Sequence, residues 1–153
     1  MNQIVPLTPD HVRSCFQLGS SLREWFGDED GLRKMHDALA HGPGYIAICD
    51  RRIQGFVTYK ARFAETWEIT WLAVAEERHR QGIGRLLVDA VVREMRIAAA
   101  QMLLVKTLAD THPSPEYVQT RAFYRALGFS RIAVIPEFWN SDNNPCLFLV
   151  RPV

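Results

Sequence analysis

One turn of the chain carries the residue types of an anion-binding site. It reads His79-Arg80-Gln81-Gly82-Ile83-Gly84 and joins the β-rich residues 71–74 to a helical pattern. The first backbone N–H groups of a helix lack carbonyl partners, and the helix dipole adds roughly half a positive charge there. Gly82 and Gly84 are expected to let a phosphate approach closely, and nearby charges come from Arg78, Arg80 and Arg85. The turn therefore predicts a phosphorylated ligand, such as a diphosphate carrying phosphorylated ribose.

Two other phosphate loops do not fit this turn. No Gly-Lys-Ser or Gly-Lys-Thr is present, which excludes a nucleoside-triphosphate P-loop. A dinucleotide-binding turn would need a third glycine and an acidic residue for the ribose. The remaining alternative is a glycine-softened turn with exposed arginines and no ligand.

The surrounding pattern predicts a mixed α/β or α+β fold, with one sheet covered by helices. The long stripe of Leu87, Val91 and Met95 indicates the best-marked helix, and Gly128 is expected to cap the last one. Strands are predicted near residues 4–7, 45–49, 53–59, 66–74, 102–106, 129–134 and 146–150, and helices near 8–22, 29–41, 84–98 and 115–127.

Composition sets limits on function. With 153 residues the chain fits a single domain, 1–153, and its net charge of +1 gives no basic surplus for nucleic acid or a membrane surface. No secretory signal or long apolar run is present, so a soluble cytoplasmic protein is expected. The cysteines are three and widely spaced, and the five histidines show no metal-ligand spacing, so we expect no disulfide framework and no metal.

Two segments resemble the signatures of the GNAT N-acetyltransferase superfamily. The first is Glu68-Ile69-Thr70-Trp71-Leu72-Ala73-Val74 followed by Gln81-Gly82-Ile83-Gly84-Arg85-Leu86-Leu87, similar to the family's acetyl-CoA-binding segment. The second is Ala122-Phe123-Tyr124-Arg125-Ala126-Leu127-Gly128-Phe129, similar to its Tyr-x-x-x-Gly-Phe signature. The resemblance implies a mostly antiparallel sheet splayed between the fourth and fifth strands. Two departures are His79 in place of the usual Arg or Gln, and Tyr117 near the place of a frequent Asn.

The resemblance also implies how acetyl-CoA would bind. The pantetheine arm would pair with the backbone of Leu72 and Val74, and the Leu72 N–H could polarise the thioester carbonyl. The implied cofactor-binding residues are Leu72, Ala73, Val74, His79, Arg80, Gln81, Gly82, Ile83, Gly84 and Arg85.

Glu68 and Tyr124 are the catalytic candidates that the resemblance implies. Glu68 would be the general base, acting directly or through water, and Tyr124 the general acid towards the departing thiolate. Simple alternation along the strand places Glu68 on the same face as Leu72. The structural alternatives are a solvated strand carboxylate for Glu68 and a core aromatic ring for Tyr124.

The resulting hypothesis is an enzyme that transfers an acetyl group from acetyl-CoA to a primary amine. The alternatives are a CoA-binding regulatory or sensor domain without transfer, and a structural module without a ligand. Polyamines, amino acids, antibiotic amines, protein N-termini and lysine side chains remain open as acceptors. Asp28-Glu29-Asp30 could attract a cationic amine or merely start a helix, and the aromatic loop Glu137-Phe138-Trp139-Asn140 could shape the acceptor pocket or cover the sheet edge. A homodimer is possible.

Overall fold

A computed structural model describes residues 1–26, 29–139 and 144–153. These residues form a seven-stranded sheet in the order β1-β2-β3-β4-β5-β7-β6, in which β4 and β5 are parallel and the other neighbours antiparallel. The strands are β1 (Gln3–Pro6), β2 (Gly44–Cys49), β3 (Arg52–Ala61), β4 (Thr66–Val74), β5 (Met102–Leu108), β6 (Ser130–Ile135) and β7 (Cys146–Pro152). The predicted mixed sheet is confirmed.

Helices cover both faces of the sheet. They are α1 (Val12–Ser21), α2 (Arg23–Phe26), α3 (Glu29–His41), α4 (Ile83–Ile97) and α5 (Pro115–Ala126), with short 3-10 turns at Pro9–His11 and Glu76–Arg78. The stripe of Leu87, Val91 and Met95 is fully buried and holds α4 against one face. On the opposite face, Cys15 of α1 and Met35 of α3 belong to a second core. None of the helices in the described part of the chain combines the length and the hydropathy needed to cross a bilayer.

The sheet opens between β4 and β5, as the sequence resemblance implied. The two strands pair only from Thr66↔Met102 to Ile69↔Val105, so residues 70–74 of β4 have no β5 partner. The backbone groups along this part of β4 therefore face an open edge instead of a neighbouring strand.

The predicted alternation of side chains along β4 is wrong beyond Thr70, because the strand carries a β-bulge there. On β3, Thr58 pairs with Trp71. The next residue, Tyr59, pairs with Ile69, which leaves Thr70 outside the register. An extra residue of this kind reverses the face that the following side chains occupy. The core beside α4 accordingly contains Trp67, Ile69, Leu72 and Val74, and the core beside α1 contains Trp71 and Ala73.

Candidate active site

The glycine turn forms the amino-terminal end of α4. Gly82 is the N-cap residue and has a left-handed backbone with φ 82°. The Leu86 N–H donates to the Gly82 carbonyl at 3.1 Å, which is the first bond of the helix. The N–H groups of the first helical residues precede that bond and have no carbonyl one turn earlier. The amino-terminal end of α4 therefore has backbone N–H groups without intrahelical acceptors, as the predicted anion site requires.

Gly84 has a packing role that the sequence did not suggest. Its backbone is not left-handed, and a Cβ added to it would lie 2.9 Å from two ring carbons of Phe123. The glycine thus allows the Phe123 ring of α5 to approach the first turn of α4. Helix packing therefore requires a residue without a side chain at Gly84, and the approach of a phosphate to both glycines stays a prediction.

A groove of about 620 Å³, which we call the α4 groove, runs from this turn along the open edge of β4. The predicted cofactor-binding residues that line it are Leu72, Ala73, Val74, His79, Arg80, Gly82, Ile83, Gly84 and Arg85, together with Arg78. Gln81 is the predicted residue that does not line it. Its amide nitrogen donates to the Glu77 carbonyl at 3.2 Å. Backbone donors and three guanidinium groups in one groove fit a diphosphate ligand.

The His79 side chain forms a hydrogen bond with the protein backbone. Its Nε2 lies 2.8 Å from the carbonyl oxygen of Val74, so this nitrogen carries the proton and donates it. The imidazole also meets the Trp25 ring edge-to-face, with centroids 5.6 Å apart. His79 therefore ties the glycine turn to the end of β4, a role that an arginine at this position could not fill in the same way.

Leu72 and Val74 direct their backbone groups to the open edge of β4. The Ala75 N–H donates to the Gln54 carbonyl at 2.8 Å, which fixes the direction of the ladder at the end of the strand. Alternation along an antiparallel strand then turns Leu72 and Val74 away from β3. Because His79 already engages the Val74 carbonyl, Leu72 presents the freer backbone groups.

A second cavity of about 1080 Å³, which we call the Glu68 cavity, adjoins the α4 groove. Leu72 and Tyr124 line both spaces, as do Trp25, Phe26 and Thr120. The reversal at the bulge places Glu68 and Leu72 on opposite faces of β4, but both line the Glu68 cavity at its open edge. The two cavities therefore meet at Leu72 and Tyr124.

Tyr124 is buried in the core, with 5% of its surface exposed, yet its hydroxyl is unpaired among the residues that the structure describes. Its ring packs edge-to-face on Phe123 at 5.1 Å and on Phe129 at 5.3 Å. Burial raises the pKa of the Tyr124 hydroxyl above its usual value of 10.0, and the neighbouring Tyr117 adds to the rise. The hydroxyl thus stays protonated at neutral pH and is available as a donor at the junction of the cavities.

Tyr117 lies two turns before Tyr124 on α5 and binds a different element. Its hydroxyl donates to the Trp25 carbonyl at 2.6 Å, and burial raises its pKa to about 12. The bond holds α5 against α2, and both helices line both cavities. Tyr117 therefore holds together the two helices around the junction. This is the role of the residue that lies near the place of the frequent family asparagine.

Glu68 is not a solvated strand residue. It is 3% exposed, and its Oε2 accepts hydrogen bonds from Arg62 Nη2 at 2.6 Å and from Arg62 Nε at 3.2 Å. Lys106 Nζ lies 2.9 Å from Oε1 and forms an ion pair. Within the described residues, however, Oε1 receives no directed hydrogen bond. Sequence reasoning missed Arg62 and Lys106, because only the folded sheet brings the end of β3 and the middle of β5 to the same carboxylate.

The aromatic loop after β6 lies at the Glu68 cavity. Phe138 and Trp139 line it, and the Phe138 ring centroid is 5.5 Å from Lys106 Nζ. Asn140 and Asp28 lie outside the described residues. Asp30 starts α3 and pairs with Arg33 and with Lys34, the latter at 3.1 Å, so helix-start pairing accounts for this acid. The described residues include no cluster of three or more potential metal ligands.

Comparisons with known proteins agree with this architecture. A family model described as an acetyltransferase (GNAT) domain matches residues 40–131, more than half of the chain. No curated protein sequence matches the chain. A GNAT-family structure from Desulfovibrio desulfuricans is similar over 99% of each chain, with a TM-score of 0.84 and 21% identity.

Two further structures share the fold. The ribosomal-protein-S18-alanine N-acetyltransferase from Escherichia coli has a TM-score of 0.79 at 15% identity, covering 100% of this chain and 94% of that chain. A GNAT family acetyltransferase from Elizabethkingia anophelis with acetyl-CoA bound has a TM-score of 0.75 at 20% identity, covering 99% and 98%. At these identities the likeness establishes the common fold, and the predicted fold is thereby confirmed.

Proposed function

Because the chain belongs to the GNAT acetyltransferase family, we propose that it transfers an acetyl group from acetyl-CoA to a primary amine. The observation that carries this proposal is the junction at Leu72 and Tyr124. These residues line both the α4 groove, which ends in an anion-binding helix terminus, and the Glu68 cavity, which could hold a second substrate. A reaction between two bound molecules requires such a meeting point.

Acetyl-CoA would occupy the α4 groove and supply an activated acyl thioester. The first amides of α4, with Arg78, Arg80 and Arg85, would hold its phosphates. The open edge of β4 would receive the pantetheine arm at Leu72 and Val74. This assignment follows the backbone direction at the splay and the burial of the groove.

The Leu72 N–H would stabilise negative charge on the acyl oxygen as the amine attacks. A fixed backbone donor is effective because it needs no reorganisation when the charge appears. The register with β3 supports this role, since the alternation along the antiparallel ladder turns the Leu72 N–H away from β3 and towards the open edge.

Glu68 would accept the proton that the amine must lose. Its Oε1 accepts no directed hydrogen bond from the described residues, although the carboxylate forms ion pairs with Arg62 and Lys106. Because four strand residues separate Glu68 from Leu72, the proton would pass through a chain of water molecules and not by direct contact. Arg62 and Lys106 would then fix the orientation of the carboxylate.

Tyr124 would donate a hydrogen bond to the departing sulfur. Its raised pKa keeps the phenol protonated, but it also makes the phenol a weaker acid than an ordinary thiol of pKa about 8.5. Stabilisation of the developing thiolate by a hydrogen bond is therefore its main contribution, and a full proton transfer from the phenol would be uphill.

The second candidate is a CoA-binding regulatory domain of the same fold. The observation that favours it is the ion pairing of Glu68 with Arg62 and Lys106, which occupies most of the carboxylate proposed as the base. It predicts binding of acetyl-CoA without amine-dependent release of CoA.

Thiol release with acetyl-CoA and a panel of primary amines tests both candidates, with mass spectrometry to identify an acetylated amine. Transfer predicts amine-dependent release that falls at least tenfold in Glu68→Gln. Glu65→Gln, which makes the same change at an exposed position three residues earlier, should retain the wild-type rate. Binding of acetyl-CoA with no acetylated product from any amine would contradict transfer and favour the regulatory domain.

A further inference from the structure

The Glu68 cavity has an excess of positive charge. Among its described lining residues, four cationic side chains stand against two carboxylates; Lys34 also pairs with Asp30 at 3.1 Å, which leaves an excess of +1 when His41 is neutral. The cations are Lys34, Lys60, Arg62 and Lys106, and the carboxylates are Asp37 and Glu68. A cavity of this sign repels a polycation and attracts an anionic group.

The charge excess extends to the innermost part of the cavity. Glu68 is already neutralised by two cations, Arg62 at 2.6 Å and Lys106 at 2.9 Å, so the three groups together carry +1. The carboxylate is therefore not free to pair with an incoming ammonium group. Asp37, in contrast, is an exposed residue on α3.

Donors on the two cations remain available for a ligand. Arg62 directs Nε and Nη2 to the same oxygen of Glu68, and its Nη1 bonds no residue in the described ranges. Lys106 pairs with Oε1 of Glu68, and its side chain is 27% exposed. A guanidinium edge and an ammonium group side by side form a site for a carboxylate.

The positions of Glu68 and Leu72 along β4 set the distance between the amine and the carboxylate of such a ligand. Four residues of strand, about 13 Å, separate Glu68 from Leu72, where acetyl transfer is proposed. An acceptor that reaches both places must carry its amine and its anionic group at opposite ends. Aromatic side chains of Trp71, Phe138 and Trp139 also line the cavity and suit a flat apolar body.

From these contacts we infer that the acceptor is a small amine with a carboxylate at its far end, held by Arg62 and Lys106. The inference rests on the proposed function for the position of the amine, and on the cavity alone for the carboxylate. It excludes polyamines and aminoglycosides as preferred acceptors, because their additional ammonium groups would meet the positive end of the cavity.

The test compares ligands that differ only at the far end. We would measure binding of 4-[4-(aminomethyl)phenyl]benzoate, 4-[4-(aminomethyl)phenyl]benzamide and spermidine to the CoA-saturated protein by calorimetry, and turnover of each with acetyl-CoA. The expected result is that the benzoate binds roughly tenfold more tightly than the benzamide, and that spermidine binds more weakly than either. Equal or tighter binding of the benzamide or of spermidine, or no detectable binding of the benzoate, would overturn the inference.

Arg62→Met should remove the preference for the benzoate, whereas Arg62→Lys should retain part of it. The matched control is Arg52→Met, which removes the same charge from the exposed opposite end of β3 and should leave the preference unchanged. A preference that persists in Arg62→Met would refute the assigned site. The wild-type comparison stands even if the variant is unstable.

The binding and turnover readings also separate the two proposals. Selective binding of the benzoate without acetylation of any amine would contradict the proposed transfer and support the carboxylate site. Acetylation of the benzamide as efficiently as of the benzoate would support transfer and overturn the carboxylate site.

Discussion

Tyr124→Phe is the sharpest perturbation of the proposed mechanism, because it removes one oxygen atom and keeps the packing of the ring. The hydroxyl has no hydrogen-bond partner among the described residues, so its loss leaves no orphaned group. The edge-to-face contacts with Phe123 and Phe129 remain. We therefore expect the free energy of unfolding to change by less than about 0.5 kcal/mol.

The kinetic effect should be much larger. A fixed hydrogen-bond donor to a developing negative charge contributes about 10² to 10³ in rate, equivalent to roughly 2.7 to 4 kcal/mol of barrier. We expect kcat for thiol release to fall within this range, while the Kd for acetyl-CoA stays within about twofold. Since the raised pKa keeps the phenol protonated, the difference from wild type should persist from pH 7 to pH 9.

The assay is steady-state thiol release with thermal melting of the same samples. Tyr117→Phe is the matched control, because it removes the same atom from the same helix. Its hydroxyl donates to the Trp25 carbonyl, so this variant should lose about 1 kcal/mol of stability and a smaller part of its kcat. A kcat for Tyr124→Phe within twofold of wild type would refute the role of the hydroxyl.

Three further predictions follow from local geometry. Gly82→Ala should weaken acetyl-CoA binding in calorimetry and cost about 1–2 kcal/mol, because φ is 82° although the Cβ would meet open space; unchanged affinity and stability would contradict the strained turn. Gly84→Ala should cost about 1–3 kcal/mol in urea unfolding, because its Cβ overlaps the Phe123 ring, and Phe123→Leu in the same chain should recover part of the loss; an equal cost in both backgrounds would exclude this contact. Burial raises the pKa of the Cys15 thiol from 9.0 to about 12, so its stabilising effect is complete below pH 9 and is lost as the pH rises, by about 1.4 kcal/mol at pH 10. Urea unfolding at pH 8 and pH 10 measures this loss, and Cys15→Ala should show a smaller pH dependence; identical slopes in both proteins would contradict it.

The sequence predicted those features that depend on local pattern. The stripe of α4 and the glycine cap at Gly128 follow from spacing and backbone preference, and both are found in the structure. The open edge between β4 and β5 came from the family resemblance. The four-residue helix α2 was missed because one turn is too short to show periodicity.

The features of the site that the sequence did not predict depend on contacts between distant segments. The bulge at Thr70 arises from the register with β3, which no pattern within β4 reveals. Arg62 and Lys106 reach Glu68 only after the sheet has formed. The positive charge of the Glu68 cavity could therefore not be predicted from a sequence with a net charge of +1. The packing role of Gly84 was missed because its neighbour Phe123 lies some forty residues further along the chain.

A crystal structure with bound acetyl-CoA tests the central claim most directly. The account predicts that the diphosphate lies against the first amides of α4, and that the thioester sulfur lies within hydrogen-bond distance of the Tyr124 hydroxyl. The acyl carbonyl should point to the Leu72 N–H and towards the Glu68 cavity. A thioester bound away from Tyr124, or a diphosphate that does not contact the turn at Gly82, would contradict it.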